Sequence, residues 1–208
     1  MNRKDVLREG LQVLAIDLPE SAIARLLDYV DLLVKWNGTY NLTAIRNPDD
    51  MVTQHLLDSL SIHHFLSGIR DLADIGSGAG LPGIPLAIAR PDLKVTLIDS
   101  VQKKSAFQQQ AKMGLQLSNV TIYAGRIEDF MQTKAFDVVT ARAFSDLAQL
   151  VTRGGPLLRE GGRILAMKGV VPREEIAALP SDWHVTAIEP LRVPGLDAER
   201  HLLILERS

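Results

Sequence analysis

The sequence predicts an α/β protein in which a doubly wound, mostly parallel sheet of seven strands follows an N-terminal helical extension. Apolar residues recur at helical spacing up to about residue 67. From residue 70 onward, short runs rich in β-branched residues are at first separated by stretches of helical length. That rhythm belongs to a parallel sheet covered on both faces. A glycine-rich turn follows the first of these runs.

In the extension, Val6, Leu7, Leu11 and Leu14 predict a short helix ending near Asp17. Pro19 then suits the first turn of a longer helix, in which Ile23, Leu26, Leu27, Val30, Leu33 and Val34 form one stripe. A third helix is expected from about Asp49 to Leu66. The division expected is an extension over 1–67 and a sheet domain over 68–208. An apolar stripe must be buried, and the sheet domain is the only partner within the chain.

The strand runs are LADIG, KVTLIDS, NVTIYAG, FDVVTAR, GGRILAMKG, WHVTAIEPLRV and HLLILER. The last two are joined by a loop without a helix, so they are expected to be antiparallel at one edge.

The 208 residues suit one α/β domain with an appendage, and 46% apolar content supplies a sizeable core. No apolar stretch reaches bilayer-spanning length. The start, MNRKDVLREG, is too charged for a signal peptide, so the cytoplasm is the expected location. The absence of cysteine excludes disulfides and thiolate chemistry. A net charge of −2 is ordinary for an enzyme acting on a small molecule. A nucleic-acid substrate would have to be met by a local basic patch.

The turn Asp74-Ile75-Gly76-Ser77-Gly78-Ala79-Gly80-Leu81-Pro82-Gly83 sits between a strand and a helix expected to open at Pro82 or Pro85. Glycines there allow a tight bend and close approach to a ligand. The next strand ends in Asp99, 23 residues after Gly76. A carboxylate there can accept hydrogen bonds from ribose hydroxyls, which points to an adenosine cofactor, either a nicotinamide dinucleotide or S-adenosylmethionine. The alternative for Asp99 is a solvated strand end. Three features favour S-adenosylmethionine. No second substrate domain is present, the terminal hairpin disagrees with an all-parallel dinucleotide fold, and Asp74 is placed to meet a methionine amino group. The third strand leads to Arg126, Ile127 and Glu128, where a loop can cover adenine. Arg126 either stacks on the base or pairs with Glu128.

The fourth and fifth strands deliver Arg142, Phe144 and Lys168 to the carboxyl edge of the sheet, where ligands of open α/β sheets lie. Arg142 and Lys168 make a candidate phosphate clamp, with Arg200 as a third cation. Phe144 either stacks on a base or packs in the core. His201 opens an apolar strand and reads as structural. His55 and Asp58 can share a helix face, but two groups do not make a metal site.

Read together, LVKWNGTYNLTAIR, HLLDS, DIGSGAGLPGIPLAI, TLIDS, TARAF, AMKG and DAERHLLIL resemble the RsmG family, also called GidB, nearly end to end. These are bacterial small-subunit ribosomal RNA guanine-N7 methyltransferases. The resemblance implies a Rossmann-like class I methyltransferase fold and S-adenosylmethionine as donor. It implies N7 of a guanine in the 530 loop of 16S ribosomal RNA as acceptor, presented in the 30S subunit or a late assembly particle. It carries Gly76, Gly78 and Asp99 over as cofactor residues, next to the Arg126–Glu128 loop. With them the cofactor set is expected to include Asp74, Gly80, Leu81, Ile127 and Arg142. Arg142, Lys168 and Arg200 are expected to position the RNA, with no general base, no metal and a monomeric enzyme. The rival expectations are a methyltransferase for a small molecule or protein, and a non-catalytic nucleic-acid-binding module.

Overall fold

The computed structural model describes residues 2–131, 134–144 and 146–208. Helix α1 (Arg3–Val13) is capped by Asn2, whose side chain accepts from the Asp5 N–H at 3.0 Å. Helix α2 (Glu20–Tyr40) begins behind Pro19 and runs one turn past the expected stripe, ending where Asn41 turns left-handed at φ 50°. Its buried face comprises Ala22, Ile23, Leu26, Tyr29, Val30, Leu33 and Asn37, so the stripe is centred nearer Tyr29 than its apolar residues alone suggest.

The third expected helix is not regular. It starts as α3 (Pro48–Met51), widens into a π-helical turn over Val52–Leu57, and resumes as α4 (Asp58–Leu60) before a 3₁₀ turn at His63–Leu66. Single π turns inside helices recur at functional sites. This one lies where His55 and Asp58 enter a cleft, while Leu56, Leu57 and Leu60 stay in the core.

The sheet contains β1 (Asp71–Ile75), β2 (Lys94–Asp99), β3 (Val120–Ala124), β4 (Phe136–Arg142), β5 (Leu158–Lys168), β6 (Trp183–Pro190) and β7 (His201–Arg207). Their spatial order is β3-β2-β1-β4-β5-β7-β6. β7 is antiparallel to both β5 and β6, and the other pairings are parallel. The terminal hairpin is thus at one edge as expected, with its second strand inserted next to β5. Helices α5 (Gly83–Ala89), α6 (Gln102–Gly114) and α7 (Leu147–Gly154) make the long crossovers, and the short α8 (Arg173–Ala177) follows β5.

Successive strand residues face opposite sides of the sheet. Leu72, Val138, Leu165 and Met167 join a core shared with α1, α2, α5 and α6. Ala73, Val139, Ile164 and Ala166 join a second core with α7 and Trp183. The helical extension therefore has no core of its own. Strand order reverses between β1 and β4, which opens a crevice at their carboxyl ends. Among the described residues no helix is long and apolar enough to cross a membrane.

Candidate active site

Beyond Ile75 the chain turns through Gly76, Gly78 and Gly80, all at positive φ (64°, 59° and 84°). Side chains other than glycine rarely adopt that conformation. The N–H groups of Gly76 and Ser77 donate to the Ile98 carbonyl at 2.8 and 3.2 Å, which pins the turn to β2. Asp99 reinforces it, since one carboxylate oxygen accepts from the Gly78 N–H at 2.8 Å and the other from the Val101 N–H at 2.8 Å. Two buried polar side chains complete the support. Gln108 of α6 donates to the Ser77 hydroxyl and the Gly78 carbonyl, both at 2.8 Å, and the Tyr29 hydroxyl of α2 donates to the Ala79 carbonyl at 2.7 Å. Sequence reasoning missed both, although a tyrosine in the middle of an apolar helix face was the available signal.

Tyr29 makes the extension a brace for the turn. Tyr29→Phe removes one buried hydrogen bond and leaves the Ala79 carbonyl without its partner, a loss of about 1–2 kcal/mol. Thermal melting is expected to fall by roughly 2–8 °C, with weaker cofactor binding in the same preparation. An unchanged melting temperature would exclude the brace.

Three clefts adjoin one another along this edge. The first, of about 330 Å³, is lined by Ile75, Gly76, Ile98, Asp99, Arg126, Ile127, Glu128, Phe144 and Arg153, among others. Its apolar walls fit a flat aromatic base. Each Asp99 oxygen holds one N–H and retains a free lone pair for a hydroxyl. Glu128 pairs with Arg153 at 3.2 Å rather than with Arg126, because α7 brings Arg153 across the cleft. Phe144 sits against Gly76 in this cleft and packs partly on the second core. The second cleft continues past Gly76 to Gly78, Leu81, Leu42, Thr43, Lys104 and Arg142. The third, of about 370 Å³, is lined by His55, Asp58, Arg142, Lys168 and Arg200, with Ile45, Gln54 and Met167. Arg142 and Ala143 belong to both the second and the third.

Asp74 lines none of the three. It shares a strand face with Leu72, so its fully buried carboxyl meets the start of α5 and accepts from the Gly83 N–H at 2.8 Å. A Cβ on Gly83 would come within 2.8 Å of the same oxygen and 2.4 Å of Leu97, so only glycine fits there. Burial pushes the Asp74 carboxyl up to about 7, partly opposed by the Gly83 hydrogen bond and by Arg142. Between the ordinary carboxyl value of 3.8 and about 7, the folded protein keeps a proton that the unfolded chain has released, so this site's contribution to stability declines as pH rises through that window. His55 acts in the opposite sense. Burial, reinforced by Arg142, lowers it to about 4, so stability is lost as pH falls from 6.5 towards 4. Asp74→Asn removes only the first effect. Urea titrations should show the variant gaining on the parent from pH 4 to 7 and no further above; a pH-independent difference would overturn the assignment.

The three cations gathered from sequence do come together in the third cleft, but they are not free. On the β4 face that carries Val138, Arg142 donates to the Gln54 carbonyl at 3.0 Å and to Asp58 at 2.9 Å. Arg200 donates to the other Asp58 oxygen at 3.0 Å. Lys168, one residue out of phase with Met167, turns to the other sheet face and meets Glu175 at 2.8 Å and the Phe144 carbonyl at 2.9 Å. Each member of the candidate phosphate clamp, and the third cation Arg200, is thus paired with a carboxylate. His201 bonds the Gly169 carbonyl at 2.6 Å, a structural role. His55 is buried between the Thr43 hydroxyl (2.9 Å) and the Gln54 carbonyl (3.0 Å). As the neutral tautomer it donates from Nδ1 to Gln54 and accepts from Thr43, whose oxygen in turn accepts from the Ile45 N–H at 3.2 Å. Asn37 folds this segment by bonding Thr43 and Ile45. Among the described residues no group of three or more acidic or imidazole side chains is placed to hold a metal.

Comparison with known proteins decides the kinship. A family model described as "rRNA small subunit methyltransferase G" (GidB) matches residues 22–203. The chain belongs to this family. It is 52% identical over 202 residues to the Ribosomal RNA small subunit methyltransferase G of Azoarcus sp. (strain BH72), covering 97% of this chain and 95% of that one. It is 53% identical over 206 residues to the protein of that name from Aromatoleum aromaticum, covering 97% and 98%. The solved glycopeptide N-methyltransferase MtfA superposes at TM-score 0.64 with 12% identity, over 78% of this chain and 100% of that one, a likeness of fold. Within this family member, the residues matching the quoted motifs line the connected clefts or hold them in shape. LPGIP closes the glycine turn onto α5. KWNGTYNLT gives Asn37 and Thr43 to the support around His55, and HLLDS supplies His55 and Asp58.

Proposed function

We propose that this family member transfers the methyl group of S-adenosylmethionine to N7 of a guanine in the 530 loop of 16S ribosomal RNA. The observation that carries the reading is the shared wall at Arg142 and Ala143. It joins the cleft at the glycine turn, which meets the adenosine cleft at Gly76, to an open cleft lined by arginines. Asp99 would take the ribose hydroxyls, Ile98, Ile127 and Phe144 the base, and the backbone of Gly76, Gly78 and Gly80 with Leu81 the methionine end. Arg126 and Glu128 close the rim, while Asp74 acts from beneath by fixing Gly83. S-adenosylmethionine supplies an electrophilic methyl on a sulfonium.

Guanine N7 has an in-plane lone pair and no proton to lose, so no general base is required. His55 agrees with this: it is neutral at working pH and both ring nitrogens are engaged. The residues instead orient the acceptor. Alignment of this kind supplies roughly 7–11 kcal/mol in favourable cases. Arg142 and Arg200 hold the RNA backbone, and Lys168 fixes the Phe144 segment through its carbonyl. The methylated base is a cation, which the compensated arginines repel less than bare ones would.

The substrate in this reading is RNA presented by the 30S subunit or a late assembly particle, which suits a chain of net charge −2. The enzyme acts as a monomer in the cytoplasm. The division into an extension, 1–67, and a methyl-transfer domain, 68–208, goes with it, the extension contributing Thr43, His55 and Asp58 to the clefts. Mass spectrometry of 16S RNA from cells with and without the gene tests the whole reading. Loss of one methyl from one guanine is the expected result, and identical RNA would overturn it.

A further inference from the structure

Asp58 is 2% exposed, yet its carboxylate forms part of the wall of the arginine cleft. Its two oxygens are divided between two guanidinium groups, Arg142 from the end of β4 at 2.9 Å and Arg200 from the loop before β7 at 3.0 Å. His55 against Arg142 is neutral, and the buried Asp74 and Tyr29, which also feel the Arg142 charge, line no part of this cleft. Lys168 is compensated separately by Glu175. The Arg142–Asp58–Arg200 cluster therefore presents one net positive charge to the cleft in place of two.

We propose that Asp58 is a specificity-determining residue for the RNA substrate, acting by halving the charge of the arginine cleft and fixing the direction of both guanidiniums. This rests on the reading of the cleft as the RNA site. Phosphate affinity is set by the number of uncompensated cations and is indifferent to sequence. Two free arginines beside the methyl-transfer site would hold any RNA. With Asp58 between them, each guanidinium has donors left over for a phosphate but little excess charge. Strong binding then requires phosphates in the one arrangement that meets both, as a folded ribosomal element can provide and a random strand cannot. The cleft thus trades standing affinity for discrimination, consistent with a chain that is acidic overall.

The test compares four proteins: the parent, Asp58→Asn, Arg200→Gln, and the double variant D58N/R200Q. The probe is an unrelated single-stranded RNA, whose affinity is measured from low to physiological salt. Methylation of 30S particles lacking the modification is followed in parallel. The cluster charges are +1, +2, 0 and +1 in that order. Each added charge that recruits a phosphate steepens the salt dependence by about 0.7 units on a single strand. The expected order of slope is Asp58→Asn steepest, the parent and the double variant equal, and Arg200→Gln shallowest. Asp58→Asn should also bind unrelated RNA more tightly while its kcat for particles falls, opposite movements that mere destabilisation cannot produce. Equal slopes for parent and Asp58→Asn would overturn the proposal. Should Asp58→Asn fail to fold, the double variant and Arg200→Gln decide alone, since equal slopes for those two overturn it as well. If the parent does not methylate particles, the proposed reaction fails, whereas the order of slopes still judges Asp58.

Discussion

Arg142→Ala is expected to lower methylation of 30S particles by about 100-fold, the cost of misplacing an acceptor that depends on alignment. Affinity for S-adenosylmethionine should fall far less, because Arg142 is absent from the adenosine cleft and borders only the cleft at the glycine turn. The variant will also lose stability. Arg142 bridges Asp58 and the Gln54 carbonyl, and its removal leaves a buried carboxylate with one cation instead of two. Losing the sole partner of a buried charge costs roughly 3–5 kcal/mol, and the remaining Arg200 reduces the cost here to about 2 kcal/mol. A fall of roughly 4–8 °C in melting temperature follows for a domain of this size. Cofactor affinity, melting temperature and methylation rate measured on one preparation separate the two roles. A less stable variant that methylates at the parent rate would make Arg142 a brace for the sheet edge. Arg142→Lys should rescue little, since an ammonium cannot span Gln54, Asp58 and a phosphate as the guanidinium fork does.

Asp99→Ala should weaken S-adenosylmethionine binding by about 100-fold, corresponding to two charge-assisted hydrogen bonds of roughly 1.5 kcal/mol each. The structure adds a second route to the same loss. Asp99 also holds the N–H groups of Gly78 and Val101, so its removal loosens the glycine turn from which the cofactor would hang. Asp99→Asn keeps one accepting oxygen and turns an amide towards the other N–H, and should fall between the two. Calorimetric titration of a variant whose circular dichroism matches the parent gives the answer. Unchanged affinity in such a protein would remove Asp99 from the site.

The strands and their parallel order were legible because each apolar run is local and its β-branched residues announce it. The antiparallel pair at the end was legible for the same reason, since a short loop leaves room for no crossover helix. The π turn at Val52–Leu57 was not legible. Its residues have the composition of an ordinary helix, and the widening is set by what the helix packs against. Tyr29 and Gln108 escaped notice because a buried polar side chain is defined by its partner, and both partners lie in the glycine turn. Two placements were readable in principle. Counting by twos from Leu72 puts Asp74 on the α5 face, and counting along β4 and β5 sends Arg142 and Lys168 to opposite faces of the sheet.

By itself the sequence determined the sheet, the glycine turn, the acidic end of β2 and the edge at which the basic residues gather. These follow from side-chain period and backbone preference, which act over a few residues. Only the tertiary structure decided which of those charges remain free. Asp58 lies 84 residues from Arg142 and 142 from Arg200, and no pattern along the chain relates them. A charge's strength at a cleft depends on distance and on exclusion of water, and both are properties of the packed molecule.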